Sequence, residues 1–196
     1  RVDELKGGAR RRAPKKRRET AAERDAKHLD AVTALSNLST SIDLAPDLVR
    51  GGPAAAKGTG ALALVEKIVR TCRDCEEYSE EVCTEIENKC AIVLRNLSCS
   101  PSCIESMVAE KEVILEAVQK LAQRDDEDQK FHTTTALYNL VTSNRKMGTG
   151  VNEILTSIFQ SSTREDTRHI CGNALISSHS GGKNAAYSDG SIVALV

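Results

Sequence analysis

The stretch AIVLRNLSCSPSCIESMVAEK, Ala91 to Lys111, reads as a helix that ends, turns and restarts. Its LRNLS (Leu94 to Ser98) has counterparts in LSNLS (Leu35 to Ser39) and LYNLV (Leu137 to Val141). Three copies of Leu-x-Asn-Leu in 196 residues point to an internal repeat. The flanks repeat as well. Each copy closes a helix-like segment and is followed by a polar turn, a short segment, and an apolar-periodic helix. A turn rich in Asp, Glu, Ser and Thr then leads to the next copy.

Periodicity supports helices throughout. In VILEAVQKL, Val113, Ile114, Ala117, Val118 and Leu121 fall on one stripe. Cys90, Val93, Leu94 and Leu97 form another, and Thr133, Ala136, Leu137 and Leu140 a third. The apolar helices start near Ala61, Val113, Val151 and Ile192, and the motif asparagines Asn37, Asn96 and Asn139 are 59 and 43 apart. A period near 40 is the signature of a helical solenoid, whose units bury their faces only by stacking. The long first interval is accounted for by two insertions, GGPAAAKGTG and CRDCEEYSEEVCTE.

Composition agrees. Hydrophobic residues make up 40% of the chain but aromatics only 3%, with no Trp, which suits a core of Leu, Ile, Val and Ala. Residues 1–30 hold 11 Lys and Arg against 6 Asp and Glu, so a basic head precedes an acidic body. No run of about 18 apolar residues suggests a membrane span. Seven cysteines, an odd number, do not read as a disulfide framework but as reduced thiols of a cytoplasmic or nuclear protein. Arg1 at the start and the apolar GSIVALV at the end read as the edges of a piece of a longer chain.

The pattern resembles the armadillo repeat, with a Gly before an apolar helix, an acidic or Ser-rich turn, and a long helix ending Ala-Leu-x-Asn-Leu. GALALVEKIV with ENKCAIVLRNLS, and EVILEAVQKLAQRDDEDQKFHTTTALYNLVTSNRKMGTG, carry the resemblance; VNEILTSIFQSSTREDTRHICGNALISSHSG carries it with a degraded motif. It covers roughly Ala21 to Val196. It implies an all-α, right-handed armadillo-type solenoid. The expected units are 21–60, 61–111, 112–150 and 151–191, with a further repeat starting at 192–196. Residues 1–20 are expected to be a basic, disordered segment or an inter-helix loop.

The resemblance implies a non-catalytic module that binds an extended peptide or protein in a concave groove lined by the long helices. Asn37, Asn96 and Asn139 are carried over as groove asparagines, since an amide offers an extended backbone both a donor and an acceptor. The alternative is that each Asn satisfies the turn after its own helix. Helical spacing puts Ile92 and Lys89 on the stripe of Asn96, and Thr135 and His132 on that of Asn139. Both asparagines are expected to be exposed, so that replacing them together costs under about 1 kcal/mol. Nuclear-import receptors of the family place Trp four residues before the Asn. Its absence here disfavours a cargo-adaptor function, while the family's other mode, with Lys or His beside the Asn, persists in Lys89 and His132. A second alternative is a structural scaffold segment of a larger protein.

Other candidates are weaker. The four His sit in no catalytic or metal motif, SGGKNAA lacks the spacing of a phosphate-binding loop, and no enzyme, cofactor or metal is expected. Cys72 with Cys75 and Cys99 with Cys103 are pairs that zinc or redox chemistry would use, while Cys83 and Cys90 read as small core residues. The basic run Arg10, Arg11, Arg12, Lys15, Lys16, Arg17 and Arg18 reads as a nuclear localisation signal, a phosphate-binding arm or a solvated loop. A nucleic-acid partner is not expected, nor a membrane; oligomeric state is left open. The acidic segment from Asp74 to Glu87 reads as a solvated loop, a charged lid or a helix continuation. On this reading, Leu94→Ala and Leu137→Ala should each destabilise the protein by roughly 2–5 kcal/mol in chemical denaturation; a change below about 0.5 kcal/mol would mean the stripe is misplaced.

Overall fold

A computed structural model describes residues 20–51, 60–74, 78–144, 147 and 150–179. The regular elements there are all helical: α1 (Ala21–Ser39), α2 (Ala45–Arg50), α3 (Ala61–Asp74), α4 (Glu80–Ser98), α5 (Pro101–Ala109), α6 (Lys111–Ala122), α7 (Glu127–Ser143), α8 (Gly150–Ser161) and α9 (Glu165–His179). None is long and apolar enough to cross a membrane. The basic run at Arg10 to Arg18, Cys75 and the C-terminal GSIVALV lie outside the described residues.

Local chemistry sets the starts. Thr20 caps α1 reciprocally: its hydroxyl accepts from the Glu23 amide at 3.2 Å, and its own amide donates to the Glu23 carboxylate at 2.9 Å. Ser79 caps α4 and Asp126 caps α7 in the same one-sided way, accepting from Val82 and Gln129. Pro101 opens α5, where its missing N–H costs nothing. Gly51 ends α2 in the left-handed region, at φ 77°. The acidic segment, read as a solvated loop, a charged lid or a helix continuation, is from Ser79 onward the capped start of α4, and Glu87 within it is fully buried. Its carboxylate is not solvated because Arg124 reaches it, Nε to Oε2 at 2.8 Å.

The long helices α1, α4, α7 and α9 pack side by side in chain order, and α3, α6 and α8 form a second layer in the same order. The short helices α2 and α5 pack on each other. One continuous apolar core runs between the layers, including Val93, Leu94, Leu97, Leu137 and Leu140 of the long helices and Val65, Leu121 and Leu155 of the second layer. Each such side chain contributes roughly 1.5–3 kcal/mol on burial. The stripes of α4 and α7 are buried where the periodicity puts them. The α6 stripe is rotated slightly: Val113 is half-buried, while Ala122 joins Ile114, Ala117, Val118 and Leu121 inside.

One position ties neighbouring units together. Nine residues before each motif asparagine stand His28, Glu87 and Lys130. His28 Nδ1 meets the Tyr78 hydroxyl at 2.5 Å, just beyond the end of α3. Glu87 takes Arg124, just beyond α6. The Lys130 ammonium donates to the Ser161 carbonyl at the end of α8 at 3.1 Å, and to Asp125 and Glu127 at 3.0 and 3.1 Å. Lys130 is only 2% exposed. Burial disfavours its charge, but the bonds from Asp125 and Glu127 outweigh that and raise its pKa.

Close backbone approach fixes the turn into α3. A Cβ added at Gly60 would stand 2.0 Å from the Val49 carbonyl oxygen of α2, a backbone atom that cannot swing aside. Gly60→Ala should therefore cost roughly 1–3 kcal/mol, the range of overpacking, whereas Gly172→Ala, with open space around it, should not destabilise; urea denaturation of the two variants makes the comparison.

Candidate interaction face

One stripe of the long helices carries half-buried polar and apolar side chains and is a face on which a partner could lie. On α4 it carries Lys89, Ile92, Arg95 and Asn96, all half-buried, and on α7 His132, Thr135 and Tyr138, half-buried as well. These two columns are adjacent because α4 and α7 pack directly. At their N-terminal ends the face is acidic, with Glu85 and Asp128 exposed. Arg164 bridges Asp128 to Asp166 of α9 and lays its guanidinium 4.8 Å from the Phe131 ring centre.

The three asparagines do not share one environment. Asn37 is exposed. Asn96 is half-buried and donates from Nδ2 to the Ser39 hydroxyl of α1 at 3.1 Å. Asn139, expected to be exposed, is 3% exposed; its Nδ2 donates to the Ser98 hydroxyl at 3.1 Å and lies 3.4 Å from Cys99 Sγ. The expectation fails for a physical reason. The amide is within reach of the preceding copy of the motif, whose serine turns its own proton back to a carbonyl three residues earlier and so offers lone pairs. Ser39 bonds the Ser36 carbonyl at 2.7 Å and Ser98 the Arg95 carbonyl at 2.6 Å. The motif is therefore Leu-x-Asn-Leu-Ser read across two units: serine in one copy accepts from asparagine in the next. Val141 stands where the third serine would be, and aligning Ala174-Leu175 with Ala136-Leu137 places Ser177 where the next asparagine would be. Both members of the pair are gone together.

Burial first, then the nearby Arg95 charge, hold the His132 imidazole below the ordinary range, and among the described residues its enclosed Nδ1 has no hydrogen-bond partner. Thr135 turns its hydroxyl to the Phe131 carbonyl at 2.8 Å, leaving its methyl for the face. At the acidic corner, Glu127 is opposed by burial but accepts from the Ser162 hydroxyl, the Thr163 and Arg164 amides and Lys130, which together bring its pKa down to about 2.

The thiols are structural in placement. Cys72, Cys83, Cys90, Cys103 and Cys171 are buried, and burial pushes up the pKa of Cys72, Cys83, Cys90 and Cys171, that of Cys72 to about 12. Such thiols are poor nucleophiles. Cys99 is exposed and Cys103 fully buried, so this pair does not present two thiols to one surface. Among the described residues no group of three or more metal-ligating side chains converges. Comparison with protein-family models, with curated proteins and with solved structures found no match.

Sequence reasoning missed Ser39 and Ser98 as acceptors. The signal was present, since serine follows the motif asparagine by two residues only in the copies that precede another asparagine copy. Asn139→Ala should cost roughly 1–3 kcal/mol, the loss of a buried donor to two acceptors, in place of the near-neutral change the exposed reading implies. Asn37→Ala, at an exposed site, should stay within about 0.5 kcal/mol. Equal effects at the two positions in thermal denaturation would overturn the inter-unit assignment.

Proposed function

We propose that this chain is a segment of an armadillo-type α-solenoid that works as a non-catalytic protein-interaction module, holding an extended polypeptide along the free face of its long helices. What supports the reading is the parallel pair of half-buried columns on α4 and α7. They place an apolar side chain (Ile92), an aromatic (Tyr138) and hydrogen-bonding groups (Arg95, Asn96) on one continuous stripe. Partly buried aromatic and arginine side chains are the residue types that anchor protein interfaces. In this reading Lys89, Ile92, Thr135 and His132 contact the partner with Arg95 and Tyr138. Asn96 shares its amide between partner and stack, and Asn139 belongs to the stack.

The scaffold reading draws on a different observation: the asparagines are spent, wholly or in part, on joining units, which a purely structural array also needs. Site-specific photo-crosslinking separates the two. A benzophenone amino acid at Ile92 or Thr135 should capture polypeptide partners in cell extract, and the same group at the exposed Glu116 of α6 should not. Ile92→Arg should then weaken the captured partner by about tenfold or more, the effect of a burdened interface core, with the melting temperature unchanged. Capture only at Glu116, or affinity unchanged in Ile92→Arg, would leave the scaffold reading in place.

A further inference from the structure

A cavity of about 190 Å³ lies between α1 and α3. Its walls are apolar, from Ala31, Leu64, Ile68 and Ile86, with Cys72 beside them. The polar groups are Lys67, which is exposed, Thr71, whose hydroxyl donates to the Lys67 carbonyl, and the hydrogen-bonded pair of His28 and Tyr78.

Comparison with the next junction explains why this space is open. His28 and Glu87 occupy the same register before the motif asparagine. Cys72 and Arg124 likewise stand three residues after the buried Val69 and Leu121. At the second junction the long Arg124 side chain fills the gap and bonds Glu87. At the first, the much shorter cysteine leaves it unfilled. The surface around it changes in the same sense: Leu64 and Ile68 stand where the second junction has Glu116 and Lys120, an ion pair at 3.4 Å. The first junction has thus exchanged two charge pairs for an apolar hollow.

We propose that this hollow is a binding site for a small monocarboxylate with a compact apolar body, separate from the face of the long helices. An apolar cavity of roughly 150 Å³ is large enough to take benzene and stays free of water, so this one takes a body of one or two rings. The charge of the lining selects the head group. Lys67 supplies the positive charge, and among the described residues no carboxylate lines the space. A carboxylate at the mouth gains the Lys67 ammonium.

The test uses the whole chain with 1-naphthoate as the probe and 1-naphthalenemethanol as its neutral counterpart, followed by isothermal titration calorimetry. The probe should bind saturably at one site and more tightly than the alcohol. Cys72→Leu and, independently, Ala31→Leu fill the hollow; in whichever keeps the parent's circular dichroism spectrum, binding of both compounds should fall by about tenfold or more. Lys67→Gln should weaken the naphthoate about fivefold, the effect of losing one exposed ion pair, and leave the alcohol unchanged. Absence of saturable naphthoate binding to the parent, or binding undiminished in a folded filled variant, overturns the site. Equal affinity for acid and alcohol with no effect of Lys67→Gln overturns the carboxylate class.

Discussion

The bond from the Asn139 amide to the Ser98 hydroxyl is buried and directional, and the apolar contacts around it are not directional. Two helices that meet through Leu, Val and Ala lose little by sliding one turn, because apolar burial depends on area and not on angle. A buried amide that finds its acceptor in only one alignment changes that. Sliding would strand the donor in a medium where an unpaired polar group costs about 1–3 kcal/mol. The repeated Asn-to-Ser bond therefore selects the register in which the apolar stripes of α1, α4 and α7 match.

The second tie, nine residues earlier, varies in chemistry but not in place. A histidine–tyrosine bond, a glutamate–arginine pair and a lysine on a helix-end carbonyl each join a long helix to the end of the next second-layer helix. Buried ion pairs add little net stability over apolar packing of the same shape, yet removing one partner costs about 3–5 kcal/mol. Units whose ties differ in charge cannot exchange neighbours freely. Glu87 fits a following arginine, and Lys130 fits a following carbonyl and two acids. Such variety gives each junction its own partner, a form of specificity that identical units would lack.

The helices, their order and most of their buried faces were legible in the sequence because apolar side chains recur at 3.6-residue spacing and must turn inward. Leu94 and Leu137 are buried as their stripes require. The environment of Asn139 was not legible from its own helix. Spacing says which face a residue shares but not how near the next helix stands, and at this site the neighbouring serine is what decides. The same holds for Glu87: within the segment from Asp74 to Glu87 it is one acid among seven, and only Arg124, 37 residues away, makes it a core residue. The half-exposed Lys89, Ile92, Thr135 and His132 lie on the stripes that spacing assigned them, since that inference needed one helix alone.

The paired loss at Val141 and Ser177 has a mechanical meaning. Between the unit of α4 and that of α7 the pins are Glu87 with Arg124 and Ser98 with Asn139, eleven residues apart on α4, roughly 16 Å along its axis. A rod fastened at two heights can neither slide nor swivel. Between α7 and α9 the upper pin is missing, and what remains is the lower cluster around Lys130, Glu127 and Arg164 together with a 3.5 Å contact from Thr134 to Cys171. The last long helix is therefore held to α7 by the acidic corner, by the Thr134 contact and by the burial of Cys171 and Ala174, without the buried amide that fixes the register of the earlier pairs.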